Sequence, residues 1–366
     1  MNLRPQKPLL SKYKNFSSQL KVIDRNRFYS NFGPLYNKLK KKIEHKLKIK
    51  KYSVILTSSG HTAVQACCNL IAHNNKKKLV IVPSFSFASN PQTIISSGLK
   101  PFFVDIKKDT LEMDYDDASQ VILKNKKNIA AIMICSPFGY PIDIKTTYNY
   151  FSKFKIPIIY DLADAIMNIS YIDEKKINSF FTFSFHPTKN IAANESGMIV
   201  ATKTNEDMLK SIINFGIYGK HREIFFQGFN GKFSEYDSVI LNANLNDFKS
   251  KKKKITKISK YIVSRIKNES IIIQKNYGIK WFGLKMILRH KTKNFKTISK
   301  ILNQKGIQIY KPWTIRPMHE YKIFRSYKKT KLKNTKEITS KIFAVPIYVD
   351  MKKKHLDFVI NQLNQL

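Results

Sequence analysis

Three apolar runs constrain this chain more than any other feature of its sequence: Leu79-Val80-Ile81-Val82, Ile129-Ala130-Ala131-Ile132-Met133-Ile134 and Ile156-Pro157-Ile158-Ile159-Tyr160. Each is apolar at consecutive rather than alternate positions, which describes a strand covered on both faces. Phe180 to Phe185 and Met198 to Ala201 extend the set, and Val54-Ile55-Leu56 reads as another strand. Helical patterns lie between the runs. Val64, Cys67, Cys68 and Ile71 recur at i, i+3, i+4 and i+7, one face of a helix. The expected fold class is therefore α/β, three layers αβα around a mainly parallel sheet, with helices as the crossovers.

The chain has 366 residues, enough for one large domain and a smaller one. We expect an extended N-terminal segment over 1–22 and a large domain over 23–248, which begins with a lysine-rich helix from about Leu35 to Leu47. The run Lys249-Ser250-Lys251-Lys252-Lys253-Lys254 reads as a solvated face or linker. Beyond it, a helix near 292–304, an extended Ile307-Gln308-Ile309-Tyr310 and the run Ile342-Phe343-Ala344-Val345-Pro346 read as a small α+β domain over 249–366.

A net charge of +41 first points to nucleic acid. Its make-up argues otherwise. Of 66 basic residues only eight are arginine, the residue that reads bases and phosphates bidentately. The lysines are spread along the chain beside abundant Asn and Ile, as an AT-rich coding sequence gives, and no nucleic-acid fold signature occurs. No specific nucleic-acid partner is expected. Cys67, Cys68 and Cys135 match neither a zinc spacing nor a disulfide framework, so buried free thiols and no metal are expected. No run approaches the roughly 20 apolar residues of a membrane helix. The N-terminus lacks a signal peptide's apolar core. The expectation is a cytoplasmic protein with no membrane partner.

Chemistry-bearing residues sit just past the apolar runs. Ser59, Gly60 and His61 lie between a strand and a helix, where free N–H groups can bind an anion such as phosphate. Phe87 follows the strand at 79–82 and can stack on a flat ring. Asp161 follows the strand ending at Tyr160, and Asp164 lies three residues on. Ser184 and Lys189 are five apart across a turn holding His186 and Pro187. Each part alone has an ordinary reading: a helix cap at Ser59 or Asp161, core packing at Phe87, one lysine among many at 189. Their order carries the argument, because ligands of open α/β sheets bind outside the carboxyl ends of the strands. A phosphate turn, an aromatic, a carboxylate and a lysine in that order match what pyridoxal 5'-phosphate (PLP) requires. The lysine forms a Schiff base with the aldehyde, and the carboxylate pairs with the pyridinium nitrogen.

These residues resemble the DegT/DnrJ/EryC1/StrS family of sugar aminotransferases, from about Ile23 to the end of the chain. Pro83 to Phe87 is similar to its Pro-x-x-[Thr/Ser]-aromatic segment. Phe138 to Asp143 is similar to its Gly-x-Pro-x-Asp element, and Tyr160 to Ala165 to its Asp-x-Ala-[Gln/His]-Ala motif. Ser184 to Lys189 matches its Ser-Phe-His-x-x-Lys segment. Gly228 to Glu235 resembles its Gly-x-Asn-x-[Lys/Arg]-Met-Ser-Glu element, and Val345 to Tyr348 its Leu-Pro-Ile segment.

The resemblance implies a fold-type I PLP-dependent transferase. It implies catalytic roles for Lys189 and Asp161. Ser59, Gly60, His61, Phe87, Asp164 and Ser184 would join them around the cofactor, and Asn230 would reach the cofactor phosphate of a partner subunit. A homodimer with shared sites follows. Tyr29 to Pro34 and Asn214 to Gly216 look most like enzymes that aminate C4 of a nucleotide-linked 4-keto-6-deoxyhexose, with L-glutamate as donor, for amino-sugar and surface polysaccharide biosynthesis. Asn31 and His186 are candidate substrate contacts. Two departures stand out. Asp164 replaces the usual Gln or His, placing a carboxylate where it would repel the cofactor's phenolate unless protonated or turned away. Ser196 falls where the family's post-lysine loop has glycine. These departures leave a second reading open, a PLP-binding protein that does not transaminate.

Overall fold

The structure is a computed structural model and describes residues 3–167 and 179–366. Seven strands form the large sheet: β1 (Tyr52–Thr57), β2 (Leu79–Pro83), β3 (Lys100–Val104), β4 (Ile129–Cys135), β5 (Ile158–Asp161), β6 (Ser179–Ser184) and β7 (Gly197–Thr202). Their order is β1-β7-β6-β5-β4-β2-β3. Neighbours from β6 to β3 are parallel, and β7 runs antiparallel to both β1 and β6.

Alternate residues of one strand enter different cores, the two-sided burial that consecutive apolar residues require. Ile132 and Ile134 of β4 pack with Tyr36, Leu39 and Leu241 on one side. Met133 and Cys135 pack on the other with Cys67, Cys68, Ile94 and Leu209. Helices Pro34–Leu47, Tyr115–Asn125 and Glu235–Asn246 cover the first face. Helices Gly60–His73, Ser89–Ser96 and Glu206–Ile212 cover the second. The result is the expected three-layer α/β arrangement. All three cysteines are buried free thiols.

A two-stranded hairpin, β8 (Ile217–Tyr218) and β9 (Glu223–Ile224), stands off the large unit. The C-terminal part carries an antiparallel sheet of β10 (Ile271–Ile273), β11 (Ile287–His290) and β12 (Ile342–Ala344). Its core joins Leu288 and Phe343 to Ile298, Leu302, Val359 and Leu363 of helices Phe295–Gln304 and Lys353–Asn364.

The structure departs from the sequence reading in three places and decides between two readings in a fourth. The segment expected to be extended over 1–22 contains the start of helix Ser17–Asn26, held by buried Ile23. Its first residues serve the C-terminal part, since Leu3 bridges Ile307 and joins that core. Of the two readings of the lysine run, the solvated face holds and the linker does not: Lys249, Lys252, Lys253 and Lys254 are exposed. The run lies in helix Phe248–Val263, whose later turns bury Ile255, Ile258 and Ile262. Strand β3 was not foreseen because Pro101 interrupts its pattern; it lies at the sheet edge, where a missing N–H is tolerated. Among the described residues no helix is long and apolar enough to cross a membrane, and no His, Cys, Asp or Glu cluster is arranged to hold a metal.

Candidate active site

The parallel strands bring their carboxyl ends to one rim. Cys135 pairs with Asp161, Asp161 with Thr182, and Ser184 with Gly197, which also faces Thr57 of β1. A cavity of about 510 Å³ opens there, lined among others by Ser59, Gly60, His61, Phe87, Asp161, Asp164, Ser184, His186 and Lys189.

One wall is a helix amino terminus. Ser59 caps helix Gly60–His73 by accepting from the Thr62 N–H, and Thr62 Oγ1 accepts from the Ser59 N–H. The first N–H groups of such a helix have no partner within it, so they and the dipole favour an anion. Glycine permits the close approach. A Cβ on Gly60 would lie 2.6 Å from the Ser184 Cβ, and one on Gly197 would lie 2.2 Å from the Ser59 carbonyl oxygen. Ser184, the helix terminus and the start of β7 are thus in near contact.

Asp161 ends β5, is buried, and accepts from the Asn90 side chain at 2.8 Å and the Ala163 N–H at 3.1 Å. Burial pushes its carboxyl above the usual range, although the Asn90 donor and the Lys189 amine oppose this. Asn90 was missed in the sequence because an Asn in a first helical turn ordinarily reads as a cap. Here it is fully buried, and its N–H bonds the Phe87 carbonyl at 3.1 Å. It ties the half-exposed Phe87 loop to Asp161.

Lys189 follows β6 through a turn closed by its own N–H to the His186 carbonyl at 2.8 Å. Its Nζ lies 3.7 Å from Asp164 Oδ2. That same oxygen is bonded by the Nζ of Lys285, which comes from the loop before β11. Sequence reasoning missed Lys285 as well, since one lysine among so many carries no local signal. Burial would raise the Asp164 carboxyl, yet the two ammonium groups outweigh it and hold the carboxyl below the usual range. Asp164 is thus an anion answered by two cations, its Oδ2 facing Lys189 and Lys285. Burial also lowers the Lys189 ammonium; Asp164 opposes this and Lys285 adds to it.

His186 Nδ1 pairs with Thr188 Oγ1 at 2.8 Å, and its Nε2 lies 3.3 Å from Glu195. Ser196 is fully buried, and its hydroxyl has no hydrogen-bond partner. Asn31 and Asn230 are not among the residues lining this cavity. Both are exposed; Asn31 sits before helix Pro34–Leu47, and Asn230 accepts from Lys232 Nζ at 2.8 Å.

These residues fit PLP. Asp161 is a buried carboxylate without a full counter-charge of its own, which a pyridinium would supply. The cavity wall formed by the helix terminus and Ser184 suits a phosphate. The Lys189 amine shares the cavity with both acids.

A model of the DegT/DnrJ/EryC1/StrS aminotransferase family matches residues 11–364. The chain is 25% identical to the dTDP-4-amino-4,6-dideoxy-D-glucose transaminase of Shigella dysenteriae, across 98% of this chain and 97% of that one. It is 25% identical to the 3-oxo-glucose-6-phosphate:glutamate aminotransferase of Bacillus subtilis, across 93% and 77%. Among solved structures, a Bacillus cereus chain assigned to the PLP-dependent aminotransferases superposes with a TM-score of 0.91 at 23% identity, covering 100% of both chains. At that identity the likeness is one of fold.

Proposed function

The chain belongs to the DegT/DnrJ/EryC1/StrS aminotransferase family, and from that premise we propose that it moves an amino group from L-glutamate to C4 of a nucleotide-linked 4-keto-6-deoxy sugar. Its class is that of the PLP-dependent sugar aminotransferases. Donor, sugar and ring position are the finer reading. The Shigella relative, matched nearly end to end, bears a 4-amino-4,6-dideoxy sugar on dTDP in its name and supports the nucleotide and C4. The Bacillus subtilis relative names glutamate and supports the donor, while its 3-oxo sugar phosphate defines the competing acceptor.

The observation that carries the proposal is Lys189 in one cavity with the buried Asp161 and Asp164, its amine 3.7 Å from Asp164. PLP, when bound, supplies an aldehyde for that amine and an electron sink for the substrate's electrons. Asp161, oriented by Asn90 and the Ala163 N–H, pairs with the ring nitrogen. Ser184 and the amino terminus of helix Gly60–His73 hold the phosphate. Phe87 covers a ring face. Lys189 would be the base that takes the proton from the donor carbon and passes one to the cofactor carbon, and in the second half-reaction the acid that supplies the acceptor carbon with the proton taken from the cofactor carbon. That task needs a neutral amine, and burial beside Lys285 favours one. A homodimer belongs to the same reading. Asn230 would reach the cofactor phosphate of a neighbouring subunit, and the exposed Phe215, Tyr218, Ile224 and Phe225 around the hairpin would be covered by it.

The test is a visible spectrum of the protein with PLP, before and after L-glutamate, followed by acceptor trials. We expect a band that fades with glutamate, is absent from Lys189→Ala, and returns on adding a 4-keto nucleotide sugar. A band indifferent to glutamate would favour the non-transaminating reading. Turnover with 3-oxo sugar phosphates alone would move the acceptor to the other class.

A further inference from the structure

We propose that Asp164 and Lys285 are a matched pair built into this pocket, with Lys285 a positioning residue that offsets the Asp164 carboxylate and so weakens its hold on the Lys189 amine. The inference rests on the pocket being the cofactor site.

Geometry carries it. Two ammonium groups approach one oxygen, Asp164 Oδ2, and Lys285 takes the hydrogen bond while Lys189 stays 3.7 Å away. The side chains of Lys285 and Asp164 are only 13% and 6% exposed. A buried carboxylate stripped of its partner is strongly destabilising, so one of the two lysines must answer it.

A second observation fixes Lys285 independently of its charge. Asn190, next in the chain after Lys189, is buried and bonds both sides of the pair. Its Nδ2 donates to the Asp164 carbonyl at 3.3 Å, and its Oδ1 accepts from the Leu284 N–H at 3.2 Å. The backbones carrying Asp164, Lys189 and Lys285 are thereby clamped through one amide, and the C-terminal part places Lys285 in a cavity that its Tyr310, Lys311 and Trp313 also line.

The consequence is a division of charge. Facing Lys189 are Asp161 from the end of β5, Asp164 after it, and Lys285 from the loop before β11. His186 and Glu195 come from the β6–β7 connection, His61 from the start of helix Gly60–His73, and Tyr310 and Lys311 from the segment after helix Phe295–Gln304. Asp161 is reserved for the ring nitrogen, and Glu195 lies beside His186. With Lys285 present, Asp164 is answered. Without it, Lys189 would be the counter-ion of Asp164 and would be held as an ammonium, unable to take a proton.

The experiment compares wild type, Lys285→Met, Asp164→Gln and the double variant by two readouts. The first is thermal unfolding of the cofactor-free proteins. Each single substitution should lower the midpoint by several degrees, and the double should recover more than half of the loss; a double that falls by the sum of the singles overturns the pair. The second is the pH titration of the visible band of the PLP-loaded proteins. Lys285→Met should move the transition up by about one unit or more and Asp164→Gln should move it down, as an added or removed charge at this range does. Lys285→Arg should keep the wild-type transition. A band whose titration ignores both single substitutions overturns this inference alone. A wild-type protein that develops no band fails the functional reading, and this inference with it.

Discussion

The Asn90 side chain donates a 2.8 Å hydrogen bond to Asp161 while its own backbone N–H holds the Phe87 carbonyl. One residue thus sets both the carboxylate proposed for the ring nitrogen and the aromatic proposed for the ring face. Substituting Asn90 with Leu removes the strongest donor to a buried carboxylate, a loss of about 1–3 kcal/mol. PLP affinity should fall by roughly 5- to 150-fold in an absorbance titration, the same energy expressed as an equilibrium. An unchanged dissociation constant would show that Asp161 needs no second support.

The two glycines at the phosphate wall should tolerate no side chain. Gly197→Ala places a carbon 2.2 Å from a backbone oxygen, so backbone must move. Overpacking of this kind costs about 1–3 kcal/mol. We expect a lower unfolding midpoint and weaker cofactor binding, whereas alanine at Gly98, where a Cβ would meet nothing but φ is +73°, should lower the midpoint alone.

Glu206 offers a pH test away from the site. Burial would raise its carboxyl, yet Lys210 at 2.5 Å and Lys40 at 2.6 Å bring it down to about 2. Its folded value lies below its unfolded value of 4.5, so its stabilisation is full above that value and is lost as pH falls toward 2. Glu206→Gln should therefore cost about 1–2 kcal/mol at neutral pH, allowing for solvent screening. The difference from wild type should shrink steadily in denaturant melts below pH 4.5. A gap that persists at acid pH would assign the loss to packing.

Trp313 stands over the cavity mouth with its ring 4.2 Å from that of Phe138 and 5.1 Å from that of Phe85. Trp313→Ala should raise KM for the sugar several-fold while leaving the cofactor band and its response to glutamate intact, since no proposed cofactor contact depends on it. Equal losses in both half-reactions would place Trp313 with the cofactor.

The sequence by itself determined the layered sheet. Consecutive apolar residues such as those of β4 can be buried only between two layers, and that demand is local enough to read along the chain. It also determined the order of site residues, because strand ends mark themselves where apolar runs stop, at Asp161 and Ser184. Tertiary structure alone decided which helical asparagine would turn inward to Asp161, and which of many lysines would answer Asp164. Asn90 and Lys285 owe their roles to partners 71 and 121 positions distant. A hydrogen bond or ion pair between such positions leaves no periodicity in the chain, because its energy depends on burial and on the approach of two groups that only the folded sheet and its C-terminal neighbour bring together.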